Sequence, residues 1–147
     1  MKTTRTLVAG ALIAGLAGFG ASAWAMNSPA GIDILHGTRD GHAWQSGGFG
    51  RSEVAAMNRQ AAPYNLRLAF SEGKHDDYVT GLKLRIENAT GKPVFTLSGA
   101  GPLTDVALDP GQYKVVADYH GVARTGSVTL KKGEPLNLYL HWPKDEA

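Results

Sequence analysis

The run Leu108-Asp109-Pro110-Gly111-Gln112-Tyr113-Lys114-Val115-Val116-Ala117-Asp118-Tyr119-His120-Gly121 constrains the fold more than any other segment. It reads as a tight turn, an alternating strand and a second turn. Pro110 presets φ for the first turn, and Gly111 supplies the left-handed conformation that a type II turn requires. Tyr113, Val115, Ala117 and Tyr119 fall on one side of an extended chain, while Gln112, Lys114, Asp118 and His120 fall mostly on the other. A strand that is apolar on one side suits an antiparallel sheet with one wet face, and argues against a parallel sheet buried on both. Gly121 marks the second turn.

The pattern recurs from Tyr64 to the end. Tyr64, Leu66, Leu68 and Phe70 alternate with Asn65, Arg67 and Ala69, and Leu82, Leu84 and Ile86 with Lys83, Arg85 and Glu87. Asn88 to Pro93 is a turn before Val94–Ser98. Thr104, Val106 and Leu108 form a short strand before the Pro-Gly turn. Ala123–Leu130 follows Gly121, with Gly126 expected at a bulge. Lys131-Lys132-Gly133-Glu134 turns into Leu136, Leu138, Leu140 and Trp142, which alternate with Asn137, Tyr139 and His141. Seven short strands with turns at short intervals predict an all-β fold, an antiparallel β-sandwich over residues 63–143.

The N-terminal part reads differently. Lys2 and Arg5 precede an apolar stretch from Leu7 to Phe19, and Ala23-Trp24-Ala25 offers a small-x-small cleavage site. Residues 1–25 therefore read as a signal peptide, cut after Ala25, leaving no membrane anchor. Residues 26–50 carry Gly31, Gly37, Gly41, Gly47, Gly48 and Gly50, and are expected to form a flexible leader. Within 51–62 a short helix is predicted over Arg51–Ala61, capped by Ser52, with Glu53 at its positive end and Pro63 beyond it.

Charge and cysteine content narrow the function. Removing Lys2 and Arg5 from the 15 basic residues leaves 13, against 13 acidic ones. The basicity belongs to the signal, so no nucleic-acid partner is expected. No cysteine is present; thiol catalysis, Cys-based metal sites and a lipidated cysteine are excluded. The expected location is the periplasm, or outside the cell.

Leu108-Asp109-Pro110-Gly111-Gln112-Tyr113-Lys114-Val115 with Gly121 resembles the carboxypeptidase regulatory-like domain. Gly81-Leu82-Lys83-Leu84-Arg85-Ile86 and Asn88-Ala89-Thr90-Gly91-Lys92-Pro93-Val94 resemble its earlier strand pair. Tyr64-Asn65-Leu66-Arg67-Leu68 and Gly101-Pro102 are similar to segments of a set of small, uncharacterised exported proteins of proteobacteria. The resemblance covers roughly residues 47–142 and implies a transthyretin-like (prealbumin-like), seven-stranded Greek-key sandwich. It also implies an accessory or interaction module without chemistry of its own. Some transthyretin-like proteins hydrolyse 5-hydroxyisourate, but the Tyr-Arg-Gly-Ser ending of those proteins is missing here, where the chain ends His141-Trp142-Pro143-Lys144-Asp145-Glu146-Ala147.

Candidate site residues are few. His36 and His42 in the leader, and His75, Asp76 and Asp77 after the first strand of the sandwich, are the types that ligate a divalent metal. Their spacing matches no ligand pattern, and the ordinary reading is a solvated linker and a polar loop. Ser71 and Lys74 spell Ser-x-x-Lys, but in a Gly-containing loop and not on the helix that chemistry needs; no Gly-x-Ser-x-Gly elbow is present. Trp44, Tyr139 and His141 are candidate contact residues, since an exposed aromatic flanked by polar side chains suits peptide or glycan contact. Pro110, Gly111 and Gly121 are structural turn residues. The expected function is a non-catalytic periplasmic binding or scaffolding module acting through a sheet edge or loops, with no cofactor, on a periplasmic protein or cell-envelope component. The alternative is a weak divalent-metal-binding protein using His36, His42, His75, Asp76 and Asp77.

Overall fold

A computed structural model describes residues 33–144; the expected signal peptide lies outside the described residues, as does the leader up to residue 32. The seven segments expected to form strands all do so. They are β3 (Leu66–Glu72), β5 (Leu82–Asn88), β6 (Pro93–Ala100), β7 (Leu103–Val106), β8 (Gly111–Tyr119), β9 (Val122–Leu130) and β10 (Leu136–Trp142). Three more strands join them: β1 (Leu35–Arg39), β2 (His42–Gly47) and the two-residue β4 (Asp77–Tyr78). Among the described residues one helix, α1, spans Arg51–Arg59.

The strands form two sheets. One has the order β6-β5-β8-β9. The other runs β1-β2-β7-β3-β10, with β4 also paired to β3. The alternating side chains meet between them. Leu66, Leu68, Phe70, Val106, Leu140 and Trp142 from one sheet pack on Leu82, Leu84, Ile86, Phe95, Val115, Ala117 and Leu130 from the other. Each fully buried Leu, Ile or Phe contributes about 1.5–3 kcal/mol over its exposed state, so this shared core holds the sheets together as a sandwich. Between β9 and β10 the sheets approach closely, and Trp142 Nε1 donates to Val122 O at 2.8 Å across the gap.

Several expectations are corrected. The leader is not structureless from residue 33 onwards: β1 and β2 form an antiparallel hairpin, and β2 pairs with β7. Asp40 and Gly41 sit at φ 51° and 82° between them, the geometry of a two-residue type I′ turn. His120 and Gly121, at φ 53° and 81°, make the same turn between β8 and β9. Gly111 is extended, at φ 158°, and not left-handed; it is already in the ladder, opposite Leu130. Gly126 is not at a bulge, because the β8–β9 register runs unbroken through it. It is needed for close approach, since a Cβ there would lie 2.8 Å from Leu138 Cδ2. The sandwich is not wholly antiparallel either: β10, the last strand, pairs in parallel with β3.

Helix α1 starts after Gly50, and Ser52 does not cap it. Glu53 does that work in another way. It is 3% exposed; its Oε2 accepts the N–H groups of Gly48 (3.0 Å) and Phe49 (2.8 Å), and Oε1 accepts that of Asp33 (3.1 Å). As the third helical residue it reaches back over the N-terminus, as the acid of a capping box does. It fixes the helix to the hairpin, and the helix then lies on the outer face of the β1–β10 sheet with Ala56 and Met57 buried.

Candidate functional site

Register places the chemistry on that outer face. Gln45 of β2 is opposite Asp105 of β7, Asp105 is opposite Arg67 of β3, and Arg67 is opposite Asn137 of β10. Four polar side chains therefore form one row across four strands. The next row is Gly47, Leu103, Ala69 and Tyr139. Beyond it Ser71 stands between Tyr78 of β4 and His141 of β10.

The row is built into a hydrogen-bonded network. Asp105, 1% exposed, accepts from Gln45 Nε2 at 2.7 Å and from Arg67 Nε at 3.2 Å. Arg67 Nη2 donates to Asn58 Oδ1 of α1 at 2.8 Å. Gln45 is wholly buried, and Nε2 also donates to Met57 O at 3.2 Å. A buried carboxylate without such partners would carry a penalty of several kcal/mol. Here the guanidinium and the amide compensate it, and the helix closes over them. The Asp105 charge also acts on Tyr64, whose phenol is pushed above its ordinary value, mainly by burial and secondly by that charge.

The helix does not cover the whole face. Arg67 stays a quarter exposed, and beside it lies a cleft of about 230 Å³. Ala69, a small side chain between Leu103 and Tyr139 in its row, is its floor. Arg67, Asp105, Asn58 and Asn137 line one end; Val54 and Leu103 form the helix side; Tyr78 and Tyr139 flank it. Tyr139 is 74% exposed and Tyr78 is exposed as well. A second depression of about 390 Å³ continues along the helix past Tyr78, Val54 and Asn58 to Arg51, and is mostly apolar. Together these are the dimensions of a small-ligand site.

The residues singled out from sequence scatter. Tyr139 is exposed on the outer face and is part of the cleft. Trp44 is not a free contact residue; it is half-buried in β2 and packs against the core. His36 is exposed on β1, and His42 Nδ1 lies 3.1 Å from Ala107 O, where it donates. His75, Asp76 and Asp77 are exposed at the β3–β4 turn. Among the described residues no three His, Asp or Glu side chains come close enough to hold a metal, so the five metal candidates are not gathered into one site. Asp76 meets His141 instead: His141 Nδ1 lies 3.2 Å from Asp76 Oδ1 and 3.1 Å from Ser71 Oγ. Serine, histidine and aspartate are thus in contact, but both partners address the same ring nitrogen. A catalytic triad needs the hydroxyl on one nitrogen and the carboxylate on the other.

Sequence reasoning missed Arg67, Asp105, Asn58, Ala69 and Tyr78. Arg67 and Asp105 fall at the polar positions of their strands, but that alternation does not show that their strands are neighbours. No protein-family model matches this chain, and no curated protein matches its sequence.

Proposed function

We propose that this chain is a non-catalytic binding module of the cell envelope that seats its ligand in the cleft beside α1. One observation carries the reading: a part-exposed Arg67, oriented by buried Asp105 and by Asn58, opens into a cleft flanked by exposed tyrosines. Exposed aromatics next to fixed polar donors are the usual composition of a recognition surface. The placement outside the cytoplasm rests on the signal-like residues 1–25. The two-sheet core, with the seven expected strands distributed between both sheets, supports a transthyretin-like arrangement of the carboxypeptidase regulatory-like type.

A second reading uses the sheet edge. β1 is exposed at all five of its residues, including Leu35, and is the outer strand of its sheet. It offers ladder groups for strand addition by a partner protein.

The test is a thermal-shift screen of the protein against oligosaccharides, peptidoglycan fragments, peptides and divalent metals, repeated with Arg67→Ala. Ligand at 100 times its Kd stabilises by about 2.7 kcal/mol, and that shift should vanish with Arg67→Ala. A ligand that shifts both proteins equally binds elsewhere, and β1 becomes the place to look. Turnover of any substrate by the pure protein would overturn the non-catalytic reading.

A further inference from the structure

The charge balance of the cleft restricts what can enter it. Arg67 is the one cation lining the cleft over Ala69, and its Nε is already held by Asp105; Arg51 lines only the apolar depression along α1. An anionic ligand on the remaining N–H groups would place a second negative charge on a guanidinium already compensated by a buried carboxylate. A cationic ligand would meet the guanidinium itself. What the cleft offers is neutral and directional: the free donors of the Arg67 fork, and the amides of Asn58 and Asn137, which both donate and accept. Adjacent hydroxyl groups on a ring match that set.

The walls give the second constraint. β4 and β10 flank β3 on opposite sides, so the backbones of Tyr78 and Tyr139 stand two strand spacings apart, about 10 Å. They are also offset by two residues along the strand, since Tyr78 pairs with Ser71 and Tyr139 with Ala69. A flat ring in van der Waals contact with an aromatic on each side needs about 3.5–4 Å per contact. With the offset included the two backbones stand about 12 Å apart, wide enough to admit one saccharide ring over Ala69 with both tyrosines in reach, and the apolar depression along α1 takes the next. The C–H faces of pyranose rings bind aromatic surfaces, and their hydroxyls bind the polar row.

We propose that the cleft binds a neutral oligosaccharide, with one ring over Ala69 between Tyr78 and Tyr139 and its hydroxyls on Arg67, Asn58 and Asn137. This rests on the binding-module reading and specifies its ligand. The experiment is titration of the full chain, followed by calorimetry and amide chemical shifts, with cellohexaose, maltohexaose, chitohexaose, the anionic hexagalacturonate and an alanine-rich peptide. A neutral hexasaccharide should bind and shift the amides around Ala69 and Asn137. Tyr139→Ala should weaken it about tenfold, as loss of one aromatic contact does. Ala69→Leu should abolish it by filling the floor. Both positions lie on the outer face, and Tyr139 is largely exposed, so both variants should keep the wild-type melting temperature within a few degrees. Tighter binding of hexagalacturonate, or binding of the peptide alone in the cleft, would overturn the neutral-glycan assignment while leaving the module reading standing. Binding of a neutral glycan that is indifferent to both variants would overturn the site. Failure of every saccharide to bind would overturn the neutral-glycan assignment, while the module reading would then stand or fall on the wider screen.

Discussion

Glu53 ties the start of the helix to both ends of the N-terminal hairpin, so its removal should be felt far beyond one helical turn. Its carboxylate, 3% exposed, accepts three backbone N–H groups, from Asp33, Gly48 and Phe49. Glu53→Gln keeps the shape and one carbonyl oxygen. That oxygen can still accept from Gly48 and Phe49, as a neutral acceptor roughly half as strong as a carboxylate. The amide nitrogen then faces the Asp33 N–H, donor against donor. Asp33 is exposed, so water takes over that group and the loss there is small. Two weakened bonds, each giving up about 1 kcal/mol, put the total at about 2 kcal/mol. Glu53→Ala also strands the buried Gly48 N–H and leaves a void, for about 4 kcal/mol. For a domain of this size, about 2 kcal/mol lowers Tm by roughly 8 °C. Urea and thermal melts of the three proteins at neutral pH provide the measurement. A Glu53→Gln variant within about 0.5 kcal/mol of wild type, the range of an ordinary surface change, would refute the idea that this carboxylate holds the helix to the hairpin.

Asn65 clamps the connection between β7 and β8: its Nδ2 donates to Leu108 O at 2.6 Å, and its Oδ1 accepts from Leu108 N at 2.8 Å. Asn65→Ala should cost about 2 kcal/mol in urea melts, and Asn65→Asp at least as much at neutral pH, because a carboxylate cannot donate to the carbonyl. Stability should fall in alkali. Tyr64 and Tyr113 hold their protons more tightly folded than unfolded, chiefly through burial and then through Asp105 and Asp109 respectively. Their contribution is complete below the ordinary tyrosine value of 10.0 and is lost as pH rises past it towards the raised folded value. Urea midpoints between pH 8 and 11 should therefore drop less for Tyr64→Phe than for wild type. Gly48→Ala should cost about 3 kcal/mol, since φ there is +102° and a Cβ would lie 2.8 Å from Leu103 Cγ. Gly50→Ala, in open space but at φ 85° and ψ 170°, a region essentially restricted to glycine, should cost about 2 kcal/mol in the same melts.

The seven strands of the sandwich were legible because each carries its own alternation, and alternation is a local signal of which side is buried. Pairing is not local. The glycines of 26–50 read as flexibility, yet Asp40-Gly41 is the dipeptide of a two-residue hairpin turn, and the flanking residues from Leu35 to Gly47 form β1 and β2. That cue was weak because β1 has no apolar alternation, being exposed at every position. Helix α1 was legible from Glu53 at its start and Pro63 beyond its end, although it stops at Arg59 and not at Ala61; what it covers was not legible. A buried Asp105 reads from sequence as an exposed strand charge; only helix α1, laid over Gln45 with Met57 facing it, makes it an interior group. Glu53 was legible as an acid at a helix start, whereas its three backbone partners come from the loop geometry before it.

The cleft depends on the least local pairing of all. β3 opens the sandwich and β10 closes it, and their parallel register sets Asn137 beside Arg67 and Tyr139 beside Ala69. A slip of one residue would turn Tyr139 into the core and Leu138 and Leu140 out to water, and burial forbids it. A slip of two residues keeps every face and would still destroy the site, carrying Tyr139 away from Ala69 to Arg67 or Ser71. Burial alone therefore cannot set the register. The structure shows what does. Trp142 packs on Phe70 and Tyr119, with ring centroids 6.3 and 5.7 Å away, and its Nε1 is bonded to Val122 O. Leu138 fits against Gly126 at a distance that a Cβ would close to 2.8 Å. These contacts belong to the opposite face of β10 from Tyr139. The side chains that place the outer face of β10 are thus in the core, joining β10 to the other sheet, and that outer face is free to carry the polar row and Tyr139.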